Sequence, residues 1–124
     1  MKEASGSSFH VRIYDDHVHK YPKNDSVKDR LEWIARTQTR LSETIKGIMP
    51  ATCHGDYIEM AIPPGMHCKT LTKRQFKHEI KPKVDEIVSL VAGQGYTLKD
   101  TGKNNVYYDE AEDQVWIIDY SHLT

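Results

Sequence analysis

Hydrophobic and polar positions along this chain first alternate, then recur at helical spacing, and then repeat that sequence of patterns. Phe9, Val11 and Ile13 are separated by polar residues, an Asp15-Asp16 pair follows, and a second alternating run reaches Tyr21. Short runs of period two around a polar pair predict a β-hairpin. Pro22 breaks the run, and Asn24, Asp25 and Ser26 offer N-caps. Val27, Leu31, Ile34, Leu41, Ile45 and Ile48 then mark one helix face. This predicts a helix of about five turns or more, ending by Gly47 or Pro50. Two strand-like runs, 51–54 and 57–62, flank a His-Gly-Asp turn, and Pro63, Pro64 and Gly65 close the second run, so a second hairpin is expected. Phe76, Ile80, Val84, Ile87, Val88 and Val91 fit another helix face. Pro82 must start that helix or kink it, since its ring removes a backbone donor. Val106–Tyr108 and Val115–Ile118 flank the acidic turn DEAEDQ and predict a third hairpin. Strand pairs separated by helices in this order predict an α+β fold.

The length of 124 residues suits a single domain with one core. A composition 38% apolar and 28% charged, with a net charge of -1, gives no global electrostatic pull toward nucleic acid. Lys69, Lys73, Arg74, Lys77, Lys81 and Lys83 do gather in the middle of the chain, but without interleaved aromatic residues. Nucleic acid is therefore not the expected partner. No run approaches the ~20 apolar residues that span a bilayer, so a membrane helix is not expected. The start MKEASGSSFH lacks the apolar core of a signal peptide, and Cys53 and Cys68 are too few for a disulfide framework. A cytoplasmic location with reduced thiols is expected. Cys53-His54 and His67-Cys68 do not have the spacing of structural zinc sites.

Candidate chemistry concentrates in the third hairpin. Asn105 lies five residues after Asp100, and a hydrophobic strand ends in Asp119, so the hairpin can bring three oxygen donors together. Mg²⁺ prefers such donors and commonly takes one or two protein carboxylates plus substrate phosphates. The same spacing also fits a capped turn at Asp100, a left-handed Asn105 and a strand end at Asp119. Spacing alone does not separate the two.

With KDTGKNN and IIDYS in this order, the chain resembles the protein kinase and kinase-like fold over almost its whole length. In that family a base Asp is followed five residues later by a metal-binding Asn, and a strand hairpin then ends in a metal-binding Asp. The resemblance implies Asp100 as catalytic base, Asn105 and Asp119 as Mg²⁺ ligands, and Lys103 as a charge that reaches the transferring phosphate. It implies Lys20 in VHKY as the phosphate-pairing lysine and Glu32 in LEWIA as its partner on the long helix. YIEMAIPPG resembles the fifth strand and hinge, with Met60 or Glu59 limiting the depth of the adenine pocket and Ala61 and Ile62 offering backbone groups. GSSFHV, with Gly6 alone, stands where kinases have a glycine-rich loop. His54-Gly55-Asp56 is read as a turn, since no Asn follows it at the required distance.

The implied architecture is a minimal kinase-like fold: a small sheet-plus-helix N-lobe over 1–62, a hinge, and over 63–124 a reduced C-lobe of one main helix plus the catalytic hairpin. Five residues follow Asp119, so the large helical C-lobe is not represented. An apolar face of the Phe76–Val91 helix, or Trp116, is then expected to be uncovered and to seat a protein partner or a second copy. The implied function is ATP- and Mg²⁺-dependent phosphoryl transfer to protein hydroxyls, or autophosphorylation. The alternative is a kinase-like module without catalysis that modulates a partner enzyme.

Overall fold

A computed structural model describes all 124 residues, Met1 to Thr124. Five strands form one antiparallel sheet in the order β1-β2-β3-β5-β4, from β1 (Lys2–Ser5), β2 (Phe9–Ile13), β3 (His17–Pro22), β4 (Ala51–Cys53) and β5 (Ile58–Ala61). The Asp15-Asp16 hairpin forms as its alternation predicts, with Ile13 opposite Val18. β1 carries no such signal. All four of its residues are exposed, and it exists because β2 offers a free edge to pair with. Its charged residues, Lys2 and Glu3, suit an edge strand.

Helix α1 (Asp25–Ser42) starts at Asn24, whose side chain accepts from the Val27 amide at 3.0 Å. That bond satisfies one of the free donors of the first turn. Val27, Leu31, Ile34, Ala35 and Leu41 form the buried stripe, and the helix packs on β3 and β4. The helix stops at Ser42, short of the expected limit. Ile45 and Ile48 continue the apolar spacing and are buried, but in the turn that follows. Gly47 there has φ +105°, and an added Cβ would meet the Ile87 side chain and the Val115 carbonyl. The chain passes too close to its neighbours at this point for any side chain to fit.

The second sheet, β6-β7-β8, is antiparallel and built from β6 (Met66–His67), β7 (Val106–Asp109) and β8 (Gln114–Ile117). Between β6 and β7 run the 3₁₀ turn Cys68–Thr70, a short turn α2 (Lys73–Gln75), a π-helical segment Phe76–Ile80 and helix α3 (Lys81–Gly93). The π segment precedes Pro82, in the first turn of α3, and the Lys81 amide reaches back to the Phe76 carbonyl. Pro82 has no amide to continue the four-residue ladder, and a wider turn absorbs the defect.

The expected open face on this helix is not found. Phe76, Ile80, Val84, Ile87 and Val91 are all buried within the chain, and α3 packs on β8. Gly47 and Ile48 complete the cover, with a 3.0 Å bond from the Ile117 amide to the Gly47 carbonyl. Trp116 is half-buried, and Leu90 is the large apolar side chain that α3 leaves exposed. One connected hydrophobic cluster joins both sheets and both long helices. No helix is long and apolar enough to cross a membrane.

Candidate functional site

The two sheets face each other across a cleft of about 460 Å³. Lys20, Met60 and Ile62 line it from the five-stranded sheet and the segment after it, and Asp100, Asn105 and Asp119 from the opposite side. Six of the nine residues singled out from the sequence thus share one cavity, although they span nearly the whole chain. Ser5 at the end of β1 and Gly6, Ser7 and Ser8 in the turn before β2 also border it.

Lys20 faces the cleft because strand residues alternate, which turns His19 and Tyr21 to the outer face. It lies opposite Val11 on one side and Ile58 on the other. The side chain is only 8% exposed, its Nζ donates to the Ile118 carbonyl, and it sits 5.5 Å from the Phe9 ring centre. Burial holds its pKa below the usual lysine range, and the Asp119 charge partly restores it.

Glu32 does not join Lys20. Its side chain is 81% exposed and pairs only with Arg36, at 3.7 Å. At 3.6 residues per turn, a residue next in sequence to buried Leu31 is rotated about 100° away from it. Asp25 and Asp29 are exposed as well. Lys20 is therefore bound from the Ile118–Asp119 side instead of from α1.

At the segment that the resemblance reads as a hinge, Met60 is 3% exposed and bounds the cleft. Glu59 points to the outer face, with its carboxylate 3.2 Å from His54 and 3.6 Å from His19, so of the two it is Met60 that borders the cleft. Ala61 is exposed and lies outside the cleft, opposite His17 in the sheet. The Ile62 amide is already bonded to the Asp16 carbonyl at 3.0 Å. Pro63 and Pro64 have no amide hydrogen, so 62–64 can offer a ligand carbonyl groups alone.

The catalytic-loop candidates are locked to one another. Asp100 has φ +60°, a left-handed conformation that Asp tolerates better than most residues. The left-handed residue is thus Asp100 and not Asn105. The Asn105 Nδ2 donates to the Asp100 carbonyl at 2.8 Å, and the Asn105 carbonyl accepts from the Ile118 amide at 3.0 Å. These bonds tie the loop to the segment carrying Asp119 and leave the Asn105 Oδ1 as an acceptor. Asp119 Oδ1 accepts from the Ser121 amide at 2.9 Å, which leaves its second oxygen. Next to it Tyr120 is fully buried and donates to the Ile117 carbonyl at 2.9 Å, anchoring the segment in the core. The Asp100 carboxylate is about half exposed, 3.9 Å from His122. Carboxylate and amide oxygens without other partners fit a hard divalent cation such as Mg²⁺.

Lys103 is diverted from the cleft. Its Nζ donates to the carbonyls of Leu71 at 2.8 Å and Lys69 at 3.4 Å. His67, Lys69, Asn104 and Tyr107 border the cleft instead. The sequence gives no warning of this, because His67 and Lys69 belong to β6 and its turn, which only pairing with β7 creates.

No protein-family model matches the sequence, and no curated protein sequence matches it. Solved structures do match. The structure of WbdD with the kinase inhibitor LY294002 superposes with a TM-score of 0.62 at 16% identity, covering 97% of this chain and 32% of WbdD. A second structure, of the bifunctional kinase-methyltransferase WbdD, gives 0.59 at 15% identity, covering 94% of this chain and 30% of that one. The PK-1 kinase of the Cydia pomonella granulovirus gives 0.63 at 12% identity, covering all of this chain and 53% of PK-1. The chain spans about a third of WbdD and about half of PK-1. With its α+β topology and its cleft between two sheets, this chain has a kinase-like fold.

Proposed function

We propose that this chain binds ATP with Mg²⁺ in the cleft and transfers the terminal phosphoryl group to a protein hydroxyl, on a partner or on itself. The observation that carries the reading is the meeting of Lys20, Asp100, Asn105 and Asp119 in one cavity from positions up to 99 residues apart. Lys20 would place its ammonium against the phosphates. Asp100 would orient the acceptor hydroxyl and take its proton as the oxygen attacks phosphorus and the bond to the leaving ADP breaks. Asn105 and Asp119 would hold Mg²⁺, which when bound supplies positive charge to the phosphate oxygens. The bond from Asn105 to the Asp100 backbone keeps base and ligand in register. A cytoplasmic location, where MgATP and reduced Cys53 and Cys68 coexist, goes with this reading.

A second reading, a nucleotide- or partner-binding module without catalysis, is favoured by the exposed position of Glu32. No carboxylate from α1 holds Lys20, whose ammonium is already engaged by the Ile118 carbonyl. Both readings meet one experiment: radiolabel transfer from ATP with Mg²⁺ to the protein and to generic protein substrates, alongside nucleotide-dependent thermal shifts. Transfer by the wild type that disappears in Asp119→Ala and Lys20→Ala supports the enzyme. A thermal shift without transfer supports the module, and the absence of both signals would sink ATP binding.

A further inference from the structure

Two lysines lie where the turn after β6 meets the catalytic loop, and their ammonium groups are placed differently. Lys103 is engaged by the Leu71 and Lys69 carbonyls and lies outside the cleft wall. Lys69 is exposed and borders the same cavity as Asp100, Asn105 and Asp119. The longer of the two Lys103 bonds, at 3.4 Å, therefore reaches the backbone of a residue that itself borders the cleft.

The turn is held from its other end as well. His67 pairs with Tyr107 across β6 and β7, stacks on the Tyr107 ring at 4.7 Å, and donates from Nε2 to the Asn104 carbonyl at 2.7 Å. Burial holds the His67 imidazole below its ordinary pKa, and the Lys69 charge pushes in the same direction against the Asn104 bond. Lys69 is thus a cation on a turn fastened at both ends to the catalytic loop. A lysine gives up side-chain freedom when fixed. A rigid backbone beneath it avoids adding a loop-ordering cost to that.

We propose that Lys69, and not Lys103, is the lysine on the catalytic-loop side of the cleft that contacts the nucleotide polyphosphate, opposite Lys20, with Lys103 as a positioning residue for the Lys69 turn. The inference rests on the nucleotide-binding reading above. Lys20 and Lys69 then approach the phosphate chain from the two sheets, and positive charge converges where negative charge is greatest.

An acyl-phosphate derivative of ATP tests this without requiring catalysis. A lysine nitrogen beside the bound phosphates attacks the acyl carbonyl, an amide forms, ATP leaves and the nitrogen's proton passes to solvent; peptide mass spectrometry locates the label. The expected result is labelling at Lys20 and Lys69 that excess MgATP suppresses, with Lys103 unlabelled. Lys103→Met should reduce Lys69 labelling while leaving Lys20 labelling intact, whereas loss of the fold would abolish both. Lys69→Ala should weaken MgATP binding about tenfold, the equivalent of 1.4 kcal/mol, and Lys69→Arg should largely restore it.

Suppressible labelling at Lys20 alone, or at Lys103 in place of Lys69, overturns the inference and leaves nucleotide binding standing. Lys69 labelling that MgATP does not suppress marks an ordinary surface lysine and also overturns it. Absence of suppressible labelling at every lysine overturns the nucleotide-binding reading together with the inference.

Discussion

Replacing Lys20 by Met should make the protein more stable while removing the nucleotide binding proposed above. Lys20 is 8% exposed, and its pKa is lowered mainly by burial, so the folded state holds its charge at a cost. Desolvating a buried ion costs several kcal/mol even after relaxation. The bond to the Ile118 carbonyl and the Asp119 charge return part of this, about 1.5–3 kcal/mol for a charge-assisted hydrogen bond. Met keeps the length and apolar stem of the side chain and removes the charge. Replacing buried ionic groups by apolar ones of similar size is often neutral or stabilising by about 1–4 kcal/mol. A net gain of about 1–2 kcal/mol is expected here, raising the melting temperature by about 3–8 °C for a domain of this size.

The pH dependence supplies an independent check. Because the folded pKa lies below the unfolded value, the unfolded state binds more protons between the two values, and stability attributable to Lys20 rises with pH across that window. The penalty is fully present below the folded pKa and fades as pH climbs toward 10.5. Chemical denaturation of wild type and Lys20→Met from neutral to alkaline pH should show the variant's advantage shrinking. A variant less stable than wild type at neutral pH, or an advantage that grows with pH, would refute the reasoning and show that the bonds of Lys20 outweigh its burial.

Glu32→Ala should leave nucleotide-dependent thermal shifts unchanged and alter stability by no more than about 0.5 kcal/mol, since Glu32 makes only an exposed i,i+4 pair with Arg36. Calorimetric titration with MgATP would check this; a tenfold loss of affinity would restore Glu32 to the site. Gly47→Ala should destabilise by about 2–4 kcal/mol, because φ +105° strains any side chain and the added Cβ would press on Ile87 and Val115. Urea denaturation would measure it, and a neutral result would mean that the turn rearranges freely. With its Ile62 amide engaged and two prolines following, the hinge cannot give adenine a backbone donor from 62–64. MgATP and MgGTP should accordingly bind within about tenfold of each other in competition calorimetry, a free-energy gap of at most 1.4 kcal/mol, and a much larger preference for ATP would show that another donor reads the base.

The strands and helices that bury one face were legible in the sequence, because a period of two or 3.6 must appear wherever one side of an element is apolar. That accounts for the hairpin around Asp15-Asp16 and the stripe on α1, whereas the Asp100, Asn105 and Asp119 set was singled out by the kinase resemblance of KDTGKNN and IIDYS. β1 and β6 were not legible. One is fully exposed and the other is two residues long, and both exist only because a neighbouring strand edge lies beside them. The direction in which a side chain points was equally out of reach at Glu32 and Lys103. Sequence spacing places Glu32 next to the apolar stripe, but the helix rotation that buries Leu31 turns Glu32 to solvent. Spacing places Lys103 in the catalytic loop, but carbonyls of a turn more than thirty residues earlier capture its ammonium. Local patterns thus determined the elements that bury one face and narrowed the candidate residues, since these follow from the covalent chain. Which of those residues share the cleft was decided by tertiary packing, because that depends on contacts between segments distant in sequence.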